Sequence, residues 1–251
     1  MSLIKISLIT ASFNNADTIK STIDSVLNQT YKNTEYIIID GVSTDGTKEI
    51  IDRYGKQISV FLSEPDKGMY FALNKGIQIA SGDVIGFIHA DDFYATNDII
   101  EKVAGRFSCN DTDSVYGDLQ YVYKNNLNKV LRYWKSGNFS LKKMNAGWMP
   151  PHPTLFIKKD IYNKYGLFNT SFSIAADYEI MTRFLCLHKM STVYIPEVFI
   201  KMRWGGKSNS SIKNIIIKSW EDYKAIRRNK VGNIFTLAGK NLSKVNQFLK
   251  K

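Results

Sequence analysis

The sequence predicts an α/β fold in which a mostly parallel central sheet is flanked by helices and followed by a basic helical tail. Through residues 1–107, short β-branched runs alternate with segments of helical periodicity, a pattern typical of parallel strands joined by helices. The chain has 251 residues, of which 44% are hydrophobic and 23% charged. This size and composition suit one sizeable globular domain with an appendage.

The first half contains four predicted strand–helix units. Strands are predicted over 4–10, 36–40, 60–62 and 84–88. Apolar residues at helical spacing predict helices around 19–27, 50–54, 69–80 and 99–107. Ser43 or Thr44 is the expected cap of the second helix. The run 84–88 is apolar except for Gly86, which predicts a central strand.

The second half has a different character. Residues 114–123 and 130–134 flank a turn-rich segment and predict an antiparallel hairpin. Residues 136–153 are rich in Gly, Pro, Asn and Trp, and an irregular segment of that length predicts a functional loop. The remaining predicted elements are strands at 154–157, 192–195 and 198–203 and helices at 160–165 and 177–187.

The positive charge is concentrated at the C-terminal end. The whole chain has a net charge of +11, and its last 51 residues contain 13 Lys and Arg but only two acids, Glu221 and Asp222. The entire excess therefore lies there. Two helical patterns in this tail place Ile216 and Trp220, and then Leu242, on apolar faces, with basic residues mostly off those faces. Such a pattern fits either an interfacial helix at an anionic membrane or a helix packed on its own domain.

The two cysteines, Cys109 and Cys186, have no metal-binding spacing, and we expect reduced thiols, with Cys186 buried. The opening residues do not resemble a signal peptide, and no apolar run approaches the ~20 residues that span a bilayer. We therefore expect a cytoplasmic protein.

Polar side chains follow each of the first four predicted strands. Asp91 and Asp92 end the strand at 84–88, and paired carboxylates there favour Mg²⁺ or Mn²⁺ bound together with phosphate oxygens. Asp40 ends the second strand, and its carboxylate can accept the imide hydrogen of uracil, while Thr10 or Ser12 can bond base or ribose. Each residue alone is better explained as a turn or cap residue. Their convergence on one edge of the sheet favours a ligand site.

Specific motifs then resemble family 2 of the inverting glycosyltransferases, which have the GT-A fold. The resemblance is carried by 6–14, by 25–31, by the Asp-x-x-Ser-x-Asp-Gly-Thr segment from Asp40 to Thr47, and by Asp66, Gly68, Asn74, Gly76 and Ser81-Gly82-Asp83. These motifs cover residues 4–92 in order. Residues 148–211 match more loosely, and 212–251 have no family signature.

The resemblance implies a donor site for a sugar nucleotide, with a UDP-sugar favoured. The residues that the resemblance assigns to binding of the nucleoside and the diphosphate are Thr10, Ser12, Asn14, Asp40, Asp66, Lys67, Gly68, His89, Asp91 and Arg203. It makes Asp91 the better ligand for Mn²⁺ or Mg²⁺ and Asp92 the second. His89 stands where many members have aspartate, which lowers the local negative charge. Arg203 or Lys207 would supply positive charge to the leaving group.

The resemblance also implies an acceptor side. Asp177 matches the general base of the family, which takes the proton of the acceptor hydroxyl, and Glu179 lies beside it. Trp148 can stack on a sugar, and His152 can contact acceptor or phosphate. Residues 1–95 would form the donor half and 96–210 the acceptor half of one domain, with 211–251 as the tail.

The expected activity is metal-dependent, inverting hexosyl transfer to a saccharide or a polyprenyl-linked acceptor in surface polysaccharide synthesis. Association with the inner membrane face through the tail would place the enzyme near such acceptors. A nucleotidyltransferase would need a Gly-rich basic loop after the first strand, and residues 11–18 contain no Gly, Lys or Arg. A non-catalytic carbohydrate- or nucleic-acid-binding module would leave the carboxylates at the strand ends without a role, and no nucleic-acid partner is expected.

Overall fold

A computed structural model describes residues 3–109, 111–205 and 212–249, and for 212 and 243–249 it describes the backbone alone. The strands are β1 Ile6–Ser12, β2 Thr34–Asp40, β3 Val60–Ser63, β4 Val84–Phe87, β5 Asp92–Tyr94, β6 Ser114–Tyr123, β7 Asn126–Trp134, β8 Phe156–Lys158 and β9 Thr192–Arg203. The helices are α1 Ile19–Leu27, α2 Thr47–Asp52, α3 Met69–Ile79, α4 Ile99–Cys109, α5 Leu141–Asn145, α6 Lys159–Tyr165, α7 Ala176–Thr182, α8 Ile212–Arg228 and α9 Ile234–Leu249.

One sheet contains the described strands in the order β3-β2-β1-β4-β8-β6-β9-β5, with β7 paired to β6. The first four strands are parallel, as expected. The other half is mixed, since β8 and β5 are antiparallel to their neighbours while β6 and β9 are parallel. The predicted α/β class is thus confirmed, but the parallel pairing is limited to one half of the sheet together with β6 and β9.

Strand β4 lies in the interior of the sheet, as its apolar sequence predicts. All four of its residues are buried. A Cβ at Gly86 would overlap the ring of Phe156 on the neighbouring β8, so glycine allows these two strands to pack closely. Layers of apolar side chains lie on both faces of the sheet, one beneath α1 and α4 and the other beneath α3, α6 and α7.

Several local predictions were wrong. The short edge strand β5 was not expected, and β9 is continuous where two strands were predicted. The cap of α2 is Gly46 with a φ of 95°, whereas the Ser43 hydroxyl bonds to Asp40 instead. The helix predicted at 177–187 continues from α7 as a π-helical turn at Arg183–Leu187, and Cys186 there is half-buried.

The C-terminal helices pack on the domain, but with a face that the sequence pattern did not indicate. The predicted apolar stripe of α8 points outward, with Ile216 64% exposed and Trp220 58% exposed. The buried face of α8 contains Ala225 and Ile226 together with both acids of the tail, Glu221 and Asp222. Asp222 forms a buried ion pair with Lys240 of α9. Lys240 also lies over the Tyr178 ring, 3.5 Å from its centroid.

Helix α9 packs closely against the chain at the end of α5. A Cβ at Gly239 would overlap the carbonyl oxygen of Ala146, and one at Gly147 would overlap the backbone of Lys240. The Thr236 hydroxyl donates to the Asn145 carbonyl over 2.7 Å. This half of the tail is therefore part of the folded domain.

The packing of α9 predicts that Gly239→Ala lowers the free energy of unfolding by about 1–3 kcal/mol, the usual cost of overpacking. Gly105→Ala is the matched control, because a Cβ at that exposed helical position meets nothing within 4 Å. That change should be neutral or stabilise by up to about 1 kcal/mol. Urea unfolding of both variants tests this, and equal stability of the two would contradict the docking of α9.

Candidate active site

The carboxyl ends of four adjacent parallel strands form one rim of the sheet. The last paired residues of the first three strands, Ser12, Asp40 and Ser63, are direct neighbours in register. The end of β4 continues into His89 and Asp91 on the same rim. Ligands in open α/β sheets bind outside such strand ends. The predicted convergence of polar groups is therefore present in the fold.

Asp40 is fully buried and organises the loops at this rim. Its carboxylate accepts hydrogen bonds from the Ser43 amide over 2.9 Å and from the Ser63 hydroxyl over 2.8 Å. Asn14 closes the adjacent turn, because its side-chain oxygen accepts from the Thr44 amide over 2.9 Å. The strand ends are thus tied to one another.

Besides both carboxylate oxygens of Asp92, two buried oxygens near the ends of β1 and β3 have no hydrogen-bond partner within the described chain. One is the hydroxyl of Ser12, which is 4% exposed, and the other is Oδ2 of Asp66. The second carboxylate oxygen of Asp66 is 3.0 Å from the Lys75 ammonium. Buried polar atoms normally have partners, so these two oxygens fit contacts to a polar ligand such as a nucleoside.

Thr10 does not occupy the ligand-binding position expected for it. The side chain is fully buried, its hydroxyl donates to the Ile88 carbonyl over 2.9 Å, and it lies 3.1 Å from the Tyr36 hydroxyl. Residues along a strand alternate between its two faces, which places Thr10 and Ser12 on the same face but Thr10 deeper in the core. Thr10 therefore contributes to packing between β1, β2 and β4.

The segment after β3 leads directly into α3. Gly68 has a φ of 132°, which L-residues rarely adopt, and it stands at the N-cap of α3. Lys67 beside it is exposed. This places a cation and a helix N-terminus next to Asp66, as a diphosphate site requires.

Asp91 and Asp92 differ in how deeply their side chains are buried. Asp91 is half-buried in the turn after β4, whereas Asp92 is fully buried as the first residue of β5. Burial raises the pKa of Asp92 well above its usual range, and the neighbouring Asp91 adds to this, while Arg203 acts against it. The expected role of Asp92 as a second metal ligand is therefore not supported, because its carboxyl group lies in the interior.

Arg203 lies behind the acidic turn. Its guanidinium donates to the Asp91 carbonyl and, over 2.8 Å, to the Ser21 hydroxyl, and it lies 4.9 Å from the Phe93 ring centroid. The side chain is only 7% exposed. Arg203 thus holds the Asp91–Asp92 turn against α1, which differs from the diphosphate contact expected for it. Lys207, the other expected cation, lies outside the described residues.

Asp177 stands in the first turn of α7 and is half-buried. Its Oδ1 accepts from the Tyr178 amide over 2.8 Å, and the Tyr70 hydroxyl lies 3.5 Å away. The carboxylate therefore stands at the N-terminal end of α7. Tyr70, at the start of α3, was not identified from the sequence; its hydroxyl also donates to the Ile174 carbonyl over 2.7 Å.

His152 connects Asp177 to the strand-end rim. Its ring lies 6.4 Å from the His89 ring and stacks on Phe87 at 5.7 Å. The pKa of His152 is lowered to about 4, chiefly by burial; the Asp177 carboxylate opposes this and His89 contributes to it. A neutral imidazole therefore lies between the end of β4 and the start of α7. The two halves of the predicted site meet here.

The other two residues expected on the acceptor side, Trp148 and Glu179, make contacts within the protein. Trp148 is half-buried, donates from its indole nitrogen to the Ser136 carbonyl over 3.2 Å, and packs beside Phe139. Glu179 is 1% exposed and its carboxylate forms an ion pair with Arg183 at 3.1 Å. Since Asp177 and Glu179 are two residues apart on a helix, they point in different directions. The expectation that Glu179 contacts an acceptor is not supported by this burial.

The fold and site define a glycosyltransferase of the GT-A type. A family profile, "Glycosyl transferase family 2", matches residues 7–167. The chain belongs to this family.

Two relatives with known sequences support the assignment. An uncharacterized glycosyltransferase of Mycobacterium tuberculosis is 32% identical over 183 residues, which are 71% of this chain and 68% of the relative. A PGL/p-HBAD biosynthesis glycosyltransferase of Mycobacterium bovis is 25% identical over 217 residues, 84% of this chain and 82% of the relative.

Solved structures support the fold. Staphylococcus aureus TarS in complex with UDP-GlcNAc has a TM-score of 0.67 at 14% identity. The match covers 91% of this chain and 66% of the TarS chain. A mannosyltransferase from Pyrobaculum calidifontis in complex with GDP-Man and Mn²⁺ has a TM-score of 0.66 at 17% identity, with coverage of 91% and 64%. The match to a longer TarS chain spans 39% of that chain.

The burial of His152 predicts an unusual titration. Of the three histidines, His152 should remain neutral from pH 8 to about 5 and gain its proton near pH 4, because its pKa lies below the ordinary 6.5. Protonation between pH 6.5 and 4 should consequently favour the unfolded chain. Proton–carbon NMR of the imidazoles, assigned with His152→Gln, measures this. A midpoint for His152 between pH 6 and 7 would contradict the buried position.

Proposed function

We propose that the protein transfers a sugar from a nucleoside diphosphate sugar, with a UDP-sugar favoured, to a hydroxyl of a saccharide or lipid-linked saccharide, with inversion at the anomeric carbon. The observation that carries this proposal is the arrangement of Asp91 and Asp177. They are the two half-buried carboxylates at opposite ends of the His89–His152 contact.

The donor nucleoside is assigned to the rim between β1 and β3. The unpartnered oxygens of Ser12 and Asp66 supply acceptors there, and Asp40 and Asn14 keep the surrounding turns in place. The diphosphate would then lie between Gly68 at the start of α3 and the Asp91 turn. TarS and the mannosyltransferase bind UDP-GlcNAc and GDP-Man respectively, which supports a sugar nucleotide without fixing its base.

The residues present fit a Mg²⁺ or Mn²⁺ ion that shares its ligands with the donor. No group of three or more His, Cys, Asp or Glu suited to a metal occurs within the described ranges, so the phosphate oxygens would supply the remaining ligands. Asp91 would hold the ion. Such a cation offsets the negative charge that develops on the diphosphate leaving group.

Asp177 is the proposed general base. Its carboxylate takes the proton of the acceptor hydroxyl, whose oxygen attacks the anomeric carbon as the bond to the donor diphosphate breaks. With one base and a single displacement, an α-linked donor gives a β-linked product. The anomeric coupling constant of the product in NMR distinguishes this outcome from retention.

The outward side of the tail supports a membrane-bound acceptor. Ile216, Trp220 and Phe235 are exposed by 64%, 58% and 79%, and each is a large apolar side chain. Trp220 also lines an open groove between α8 and residues 171–172, which contains aromatic and basic side chains without an acid; its lining is Ser171, Phe172, Trp220, Tyr223, Lys224, Arg227 and Arg228. Exposed apolar residues next to cations are typical of interfacial helices. Within the described ranges, no helix is long and apolar enough to cross a bilayer.

The metal assignment predicts that Asp91→Asn weakens UDP binding at least tenfold in the presence of Mn²⁺, because one charged ligand is lost. Asp17→Asn removes an exposed acid in the turn after β1 and should leave the affinity within twofold. Isothermal titration calorimetry with and without a chelator makes the measurement. Unchanged affinity in Asp91→Asn, or in wild type after chelation, would contradict the assignment.

The base assignment predicts that Asp177→Asn lowers kcat by roughly 10²–10⁴-fold while the donor Kd stays the same. Asp160→Asn is the matched control, since Asp160 is an exposed acid in the first turn of another seven-residue helix. A screen of sugar nucleotides first identifies the donor, and steady-state kinetics with that donor then measure kcat. Wild-type turnover by Asp177→Asn would remove it from the reaction.

The membrane assignment predicts that full-length protein sediments with phosphatidylglycerol vesicles, less in high salt, and poorly with phosphatidylcholine alone. Replacing Ile216, Trp220 and Phe235 by Ser should abolish binding, whereas Val130→Ser with Leu141→Ser, at exposed positions elsewhere, should not. Point variants are preferable to deletion of the tail, because α8 and α9 cover the core. Equal sedimentation of the two variants would contradict the proposal.

A further inference from the structure

Glu221 of α8 binds the segment that leads into α7. One carboxylate oxygen accepts from the Ser173 amide over 2.7 Å and from the Ser173 hydroxyl over 2.8 Å. The other accepts from the Ile174 and Ala175 amides, both over 2.9 Å. All four donors lie within the three residues before α7, and Asp177 is two residues further on. Glu221 itself is 8% exposed.

These hydrogen bonds favour the ionised carboxylate of Glu221. Burial raises the pKa of Glu221, but the hydrogen bonds from residues 173–175 outweigh it and leave the pKa below its ordinary value. The N-cap of α7 is Ala175, which has no side-chain oxygen of its own. The acceptor that holds the segment before α7 therefore comes from another helix, in addition to the acids Asp177 and Glu179 in the first turn of α7 itself.

The opposite side of this segment is held by α3. The Tyr70 hydroxyl donates to the Ile174 carbonyl over 2.7 Å and lies 3.5 Å from Asp177 Oδ1. The backbone of Ile174 is thus fixed through its amide by α8 and through its carbonyl by α3. Because α3 begins directly after Gly68, near the rim, Glu221 and Tyr70 together fix the start of α7 relative to the donor end of the sheet.

We propose that Glu221 is a positioning residue for Asp177, so that the C-terminal helix α8 is required for turnover as well as for any surface contact. The inference rests on the role of Asp177 given under the proposed function. Glu221 touches no reacting atom; it sets the position of the base, and displacement of a catalytic group by about 1 Å can cost roughly 10²-fold in rate.

The chain offers a matched control on the same pair of helices. Asn229, the first residue after α8 and 1% exposed, donates to the Thr182 hydroxyl over 2.8 Å and to the Glu179 carbonyl over 3.1 Å. These contacts lie at the far end of α7. Removal of Asn229 therefore loosens the same interface without releasing residues 173–175.

The test compares Glu221→Gln, Asn229→Ala and Ser173→Ala. The glutamine keeps the shape but loses the charge and replaces one acceptor oxygen with a donor. We expect Glu221→Gln to lower kcat by roughly 10- to 100-fold with the donor Kd within twofold. Ser173→Ala, which removes one of the four bonds, should lower kcat by a few fold. Asn229→Ala should lower the melting temperature but keep kcat.

Unchanged kcat in Glu221→Gln, measured below its melting temperature, would overturn the inference. If Glu221→Gln does not fold, unchanged kcat in Ser173→Ala would overturn it instead. Losses of kcat that follow the melting temperature across the three variants would also overturn it. Failure of the proposed function is a separate result, since Asp177→Asn would then retain activity whatever Glu221 does.

Discussion

The parallel pairing of β3, β2, β1 and β4 is the constraint on which the rest of the structure depends. Register aligns Ser12, Asp40 and Ser63 as direct neighbours, and the turn carrying Asp91 follows the next strand. Parallel strands point their carboxyl ends to one edge, and the buried apolar residues between the helical layers keep that edge rigid. Every donor-side group described above is positioned by this edge.

Burial divides the carboxylates of the molecule into two classes. Asp40, Glu179 and Glu221 are each at most 8% exposed and have hydrogen-bond or ion-pair partners that hold loops and helices together. A buried charge is costly unless it is paired, which explains these arrangements. Asp66, Asp91 and Asp177 remain partly exposed and are the carboxylates assigned above to contacts with a substrate or its metal ion.

The tail reverses the usual orientation of an amphipathic helix. Both of its acids point inward, where Glu221 binds the start of α7 and Asp222 pairs with Lys240, while Ile216 and Trp220 point outward. Hydrophobic burial against the domain does not account for that outward face. Ala225 and Ile226, together with the inward acids, account for the docking of α8 without the apolar stripe. The stripe consequently remains exposed to solvent.

The sequence by itself determined the α/β class, the four strand–helix units, the central position of β4 and the motifs that identify the family, because periodicity and local motifs record burial and turns along the chain. Tertiary structure decided which polar residues are accessible. Thr10, Asp92 and Glu179 have the right residue types but lie in the interior, and Arg203 supports the Asp91 turn from behind. Tyr70 and Glu221 could not be found from sequence, since their partners lie 104 and 46–48 residues away. Periodicity identifies an apolar face of α8 but does not say whether that face meets the core, because side-chain accessibility depends on contacts between segments that are distant in the chain.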